Sequence, residues 1–222
     1  MIELAIYDMD RTVTRKATYT PFLIHAARTM APWRLGLLPL SGVATLAHGL
    51  RLINRKRLKE INQSLLIGKV HRDALRPVAN AFATRTVARN LMPGALPAIA
   101  ADRAAGRRLV LATASYRFYV APIAARLGFD DVIATNSLVG LDARIVPRID
   151  GENNYGPAKL RMIEAWMATQ GIARGDARIR FYSDHASDGP VLAWADEAFA
   201  VNPSFGLRRL ARKRGWTTLD WS

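Results

Sequence analysis

The chain has 222 residues, half of them hydrophobic, with 32 Lys and Arg against 18 Asp and Glu and a formal net charge of +14. That apolar fraction excludes a disordered chain, and the length suits one domain with a large insertion or two small domains. There is no cysteine, which excludes disulfides, a thiolate nucleophile and a cysteine-held metal, and fits a reducing cytosol.

Residues 2–7 are an apolar run ending at Asp8, the pattern of a buried parallel strand. They lack the basic start, apolar core and small-residue cleavage site of a signal peptide. Residues 15–88 read as several helices with no clear strand, an inserted helical cap. This leaves 1–14 and 89–222 as the core. Within the core, residues 95–105 form an Ala-rich helix closing at Gly106, and 109–112 a second apolar strand ending at Thr113. A helix over 118–127 stops at Gly128. A strand over 131–134, a hairpin over 138–149 and an amphipathic helix over 158–170 follow. Residues 180–182 close another strand, running into Ser183-Asp184. A helix over 187–195, a strand over 198–201 and a helix over 207–214 complete the chain. Such alternation predicts a doubly wound α/β fold with a mostly parallel, Rossmann-like sheet. Ligands bind such sheets at the carboxyl ends of the strands, where Asp8, Thr113 and Asp184 fall.

Four features at that edge carry chemistry. In Asp8-Met9-Asp10-Arg11-Thr12, two carboxylates two apart leave a strand into one pocket. One is placed to attack phosphorus and the other to protonate a leaving group and then deprotonate water. A solvated turn has the same pattern. Ser183-Asp184-His185-Ala186-Ser187-Asp188 could complete an oxygen-rich site for a hard cation such as Mg²⁺. Ser187 or Asp188 also suits a helix N-cap. Thr113 offers a hydroxyl and adjacent N–H groups to a phosphate oxygen, or a simple cap. Lys159 stands in a first helical turn, against the helix-dipole preference, which hints at a role beyond solvation.

In this order, the four features resemble the motifs of the haloacid dehalogenase-like hydrolases, over essentially the whole chain. The helical insertion between the first and second motifs is similar to the subfamily that contains phosphoserine phosphatase. The resemblance implies an Mg²⁺-dependent phosphomonoester hydrolase working through an aspartyl-phosphate. Asp8 would be the nucleophile and Asp10 the general acid and base. Mg²⁺ would be held by Asp8, the backbone carbonyl of Asp10, and Asp184. Thr12, Thr113 and Lys159 would bind the phosphoryl group, with Asp188 supporting the metal or Lys159. Two departures bear on substrate. Thr-Ala-Ser replaces the Ser-Gly of phosphoserine phosphatases, and Ala17 stands where they place a glutamate that binds the substrate amine. Arg11 stands where a small or polar residue is common, free to touch phosphate or face solvent.

Residues 35–50 carry no Lys, Arg, Asp or Glu and are followed by Arg51, Arg55, Lys56, Arg57 and Lys59. Too short to span a bilayer, they read either as a buried cap helix with a basic solvated face or as a segment lying in an anionic membrane surface. A short likeness of residues 14–23 to relatives of phosphatidylglycerophosphate phosphatase points the same way. The expected substrate is therefore a lipid-linked or bulky phosphate, with a small soluble phosphometabolite of the phosphoserine type as the alternative. The expected location is the cytoplasm, with peripheral contact at an anionic membrane. A phospho-receiver module uses similar residues at a sheet edge, but the helical insertion argues against it. Charge alone suggests nucleic acid, and no recognition motif supports that partner.

Overall fold

The computed structural model describes residues 1–222. It opens with β1 (Ile2–Tyr7), then α1 (Tyr19–Met30), a 3₁₀ segment (Pro32–Leu37), α2 (Leu38–Gly49) and α3 (Arg55–Leu66). β2 (Val70–His71), α4 (Arg72–Arg89), α5 (Ala95–Ala104), β3 (Arg108–Tyr116) and α6 (Arg117–Leu127) follow. The chain continues through β4 (Asp131–Val139), β5 (Arg144–Asp150), α7 (Pro157–Thr169) and β6 (Ala177–Ser183). It ends with α8 (Gly189–Trp194), β7 (Glu197–Val201), α9 (Phe205–Arg214) and β8 (Thr217–Leu219).

The eight strands form one sheet in the order β2-β5-β4-β3-β1-β6-β7-β8. β1 lies between β3 and β6, parallel to both, with Tyr7 beside Leu111 and Tyr182. The chain builds outward from β1 to β3 and β4, then crosses back to lay β6 on the other side. The carboxyl ends of β3, β1 and β6 therefore flank a topological switch point, where the crevice of an α/β sheet lies. Along β1, side chains alternate between faces. Leu4 and Ile6 enter a core with Ile163 and Met167 of α7, Leu192 of α8 and Leu207 of α9. Ala5 and Tyr7 enter the opposite core with Leu109, Leu111, Tyr119 and Ile123. From Leu4 to Tyr7 both faces are thus dry, which explains the apolar run there. Each fully buried Leu or Ile contributes roughly 1.5–3 kcal/mol.

The sheet is mostly parallel. The antiparallel exceptions are the β4–β5 hairpin and β2, paired with β5 through Val70 and Ile145. The segment between β1 and α5 is thus not free of strand, as its pattern suggested. A two-residue strand is too short to show a period. β8 likewise escaped the pattern, being three residues with two exposed threonines.

Aromatic packing ties the inserted helices to the sheet. Phe22 of α1 stacks on Tyr119 of α6 at 4.3 Å and meets Phe82 of α4 edge-on at 5.2 Å. α3 starts at Asn54, whose side chain accepts from the Arg57 N–H at 2.8 Å, a standard N-cap. Its inward face, one residue every three or four, is polar: Lys59, Asn62, Gln63, with Leu66 at the end. It docks on β5 partly through polar bonds, the Ile149 N–H donating to Glu60 Oε1 at 3.0 Å.

α2 does not behave as a buried cap helix. Only Ala44 is buried, while Leu40, Val43, Leu46 and Leu50 are between 53% and 64% exposed. Their spacing places them along one face of the helix. Trp33 and Leu52, at either end, are more exposed still. No helix is long and apolar enough to cross a membrane.

Candidate active site

After Tyr7 the chain leaves β1 in a tight turn closed by the Val13 and Thr14 N–H groups donating to the Met9 carbonyl, at 3.0 and 2.9 Å. Arg11, inside the turn, takes a φ of 66°, a left-handed conformation uncommon for a side chain with a Cβ. The turn delivers Asp8 and Asp10 to one cavity of about 450 Å³, lined also by Thr113 from β3, Lys159 from α7, and Asp184 and Asp188 from the loop after β6. Six of the seven residues singled out for phosphate, metal and proton chemistry thus stand on the wall of one cavity. The exception is Thr12. It is fully buried, off the cavity wall, and its hydroxyl donates to Asp184 Oδ1 at 3.4 Å. In this structure its hydroxyl is turned to Asp184.

Lys159 is the hub. Its ammonium donates to Asp8 Oδ1 at 2.8 Å and to Asp188 Oδ2 at 2.7 Å. Gly156, with φ +61°, turns the chain into α7 so that Lys159 enters the first helical turn facing inward. The disfavoured position against the helix dipole is offset by two carboxylates. Burial works against the charge of Lys159, but Asp188 and Asp8 hold its pKa above the usual lysine range. Ser183 also donates to Asp188 Oδ2 at 2.7 Å, leaving Asp188 Oδ1 buried without a partner.

Burial pushes the Asp8 carboxyl up to about 8; Lys159 opposes this, while Asp188 and Asp184 add to it. Burial likewise pushes Asp184 up to about 6. Three carboxylates share one ammonium, so the cluster carries more negative charge than its protein partners compensate. Its free donors are all oxygens, including the orphaned Asp188 atom, which suits a hard divalent cation. No group of three or more His, Asp or Glu side chains forms a cage of its own. Mg²⁺ needs none, since it keeps several waters and takes one or two carboxylates.

Asp10 is held apart from this cluster. Its Oδ1 accepts from the Thr18 N–H at 2.7 Å and the Thr18 hydroxyl at 2.8 Å, and its Oδ2 from the Ser115 hydroxyl at 2.8 Å. Thr18 in turn bonds the Tyr119 hydroxyl at 3.2 Å. These bonds fix the carboxylate at the rim of the cavity with both oxygens aimed. Thr113 Oγ1 accepts from the Ser115 N–H at 3.2 Å, which orients the irregular end of β3 just before α6.

Sequence reasoning missed Thr18, Ser115 and Lys59 as site residues, and gave Ser183, part of the fourth motif, no role of its own. Thr18 and Ser115 lie within a few residues of motif positions, a signal that proximity could have given. Lys59 carried no such signal, since it belonged to a run of basic residues and only the fold separates it from them. It reaches from α3 to donate to the Ala114 carbonyl and to Asn153 Oδ1, the latter at 2.7 Å.

Comparison with known proteins places this geometry. The chain is 32% identical over 200 residues to Protein CicA of Caulobacter vibrioides, covering 87% of this chain and 83% of that one. It is 27% identical over 118 residues to a histidinol-phosphatase of Neisseria meningitidis, about half of each chain. It is 38% identical over 117 residues to the "Inhibition of morphological differentiation protein" of Streptomyces azureus, 53% of this chain and 41% of that one. The chain thus spans about half or less of these last two relatives. A crystal structure of a Bordetella pertussis protein of unknown function superposes over the full length of both chains, with a TM-score of 0.91 and 28% identity. A substrate-bound phosphoserine phosphatase shares the fold, with a TM-score of 0.62 and 18% identity over 94% of this chain and 90% of that one. A family model described as "haloacid dehalogenase-like hydrolase" matches residues 5–193, and this establishes that the chain belongs to the haloacid dehalogenase-like hydrolases.

Proposed function

We propose that the protein is an Mg²⁺-dependent phosphomonoesterase that works through a phosphorylated Asp8. The observation that carries this reading is the Asp8–Lys159–Asp188 chain, with Asp10 held separately two residues on. The Asp8 carboxylate attacks phosphorus, forming the O–P bond of an acyl phosphate as the ester O–P bond breaks. Asp10 delivers a proton to the departing alkoxide. Asp10, now a carboxylate, takes a proton from water, whose oxygen attacks the phosphoryl group and releases phosphate and Asp8. Lys159 and the Thr113 loop hold phosphoryl oxygens, and Asp188 keeps Lys159 charged and aimed. Mg²⁺, on Asp8, the Asp10 carbonyl and Asp184, would offset the repulsion between nucleophile and phosphate dianion. Hydrolysis of p-nitrophenyl phosphate with Mg²⁺, lost in excess EDTA and in Asp8→Asn, tests the reading. Full activity in chelator contradicts it.

The finer reading is a lipid-linked or bulky phosphate reached at an anionic membrane surface. It is supported by the exposed row Leu40, Val43, Leu46 and Leu50 beside Arg51, Lys56 and Arg57, and by His48 of the same helix lining the cavity. Apolar contact and charge act together at such a surface, each Lys or Arg adding about 1 kcal/mol. Co-sedimentation with anionic vesicles at low and physiological salt tests it. A wild-type protein that ignores such vesicles at low salt contradicts it, and self-association through α2 would then account for the exposed row.

A further inference from the structure

The cavity is electrically divided. Its four carboxylates, Asp8, Asp10, Asp184 and Asp188, all stand on the loops after β1 and β6. The wall contributed by α2 and α3 carries His48, Arg55, Leu58 and Lys59 and no acidic residue. Lys59 is only 6% exposed, yet its nitrogen meets a backbone carbonyl, an amide oxygen and, at 4.3 Å, the Tyr116 ring, and no carboxylate. Burying a cation without a counter-ion is costly. Burial and the neighbouring Arg55 push the Lys59 ammonium down to about 7, with Asp10 opposing. An ammonium has three protons to donate, and the two oxygens use two of them. Arg55, one helical turn earlier on the same face of α3, lies 3.9 Å over the Tyr155 ring and makes no ion pair. Stacking fixes the plane of the guanidinium and leaves its N–H edge free for a carboxylate or phosphodiester. Two cations without acidic partners thus line the same cavity as Asp8.

We propose that Arg55 and Lys59 form a subsite for a second anionic group, carried on the alcohol part of the phosphate ester. This rests on the phosphatase reading and narrows its substrate. The phosphoryl group goes to the Asp8–Lys159 floor, and a fixed anion a few bonds away goes to α3. An amine in that position would face Arg55 and Lys59, since no carboxylate lies on that wall and Asp10, the carboxylate that acts on Lys59, is already engaged by Thr18 and Ser115. A small phosphorylated carboxylic acid and a lipid bearing a phosphodiester share this chemistry.

The test compares matched esters: phosphoglycolate, ethyl phosphate and phosphoethanolamine, which place an anion, a methyl group and a cation beyond the ester carbon. In the wild type, kcat/KM should fall in that order, with the first step roughly ten-fold or more, the scale of one charge-assisted contact. Arg55→Gln and Lys59→Gln should shrink that ratio mainly through KM. Calorimetry in the Asp8→Asn background, which cannot turn over, should show the same loss of phosphoglycolate affinity. A parallel arm in vesicles compares a phospholipid bearing a phosphodiester and a terminal phosphate with phosphatidic acid. Discrimination confined to one arm identifies the source of the anion. Equal handling of anionic and neutral esters in both arms overturns the subsite. So does an equal loss on both in Arg55→Gln, a residue with no hydrogen-bonded structural role. If p-nitrophenyl phosphate itself is not hydrolysed, the phosphatase reading falls first and takes the subsite with it.

Discussion

Replacing Asp8 should make the metal-free protein more stable. In Asp8→Asn the side chain keeps an oxygen to accept from Lys159, and the Lys159–Asp188 pair at 2.7 Å is untouched. What disappears is one of three buried carboxylates that a single ammonium cannot satisfy. The pressure on Asp8, pushed up to about 8 by burial and then by Asp188 and Asp184 against the pull of Lys159, measures how poorly its charge is tolerated. Removing a buried charge that its surroundings disfavour should stabilise by on the order of 1 kcal/mol or more, offset in part by the weaker contact with Lys159. For a chain of this size each kcal/mol moves Tm by about 2–4 °C. Thermal unfolding in EDTA should therefore show Asp8→Asn melting several degrees above the wild type. With Mg²⁺ the order should narrow or reverse, because the wild type gains binding energy that the variant has partly lost. A variant less stable than the wild type in EDTA, with an equal gain from Mg²⁺, would refute the reasoning that this cluster is strained until a cation joins it.

Three further outcomes follow from the same geometry. Asp10→Asn should slow ethyl phosphate turnover by roughly 10²–10⁴-fold, and p-nitrophenyl phosphate by less, since nitrophenolate leaves without a proton; steady-state kinetics on both esters checks this. Lys159→Met leaves Asp8 and Asp188 buried without their cation, so in EDTA it should lose about 3–5 kcal/mol in denaturant unfolding, and Mg²⁺ should recover part of it. Changing Leu40, Val43 and Leu46 together to Ser should weaken co-sedimentation with anionic vesicles while leaving folding stability within about 0.5 kcal/mol, because surface positions contribute little.

The sheet was legible because its strands are buried on both faces. Runs such as residues 4–7 and 109–112 have no polar residue to break them, and each is followed at once by a side chain that lines the cavity, Asp8 or Thr113. Gly128 marked the end of α6 in the sequence and occupies the left-handed C-cap there. What stayed hidden depends on long-range pairing. β2 is two residues whose only reason to be strand is β5, where Val70 pairs with Ile145, 75 positions on in the chain. The site divides the same way. Asp8, Asp10, Thr113, Lys159, Asp184 and Asp188 announce themselves by residue type at strand ends and helix starts. Thr12 was legible as a motif position but not as a residue turned toward Asp184. Lys59 looks like its neighbours Lys56 and Arg57, and only packing separates them: it turns inward, while Lys56 reaches the Gly151 carbonyl at the surface. α2 illustrates the reverse case, where composition allowed both a buried and an exposed helix and the fold left Leu46 and Leu50 outside.

The central claim is a phosphoryl group on Asp8, and rapid quench with a ³²P-labelled phosphate ester in Mg²⁺ tests it directly. Acid-quenched protein, digested and mapped, should carry label on the peptide containing Asp8, labile to hydroxylamine and absent in Asp8→Asn. Label on a serine or histidine, or turnover with no labelled protein at any time point, would contradict the account.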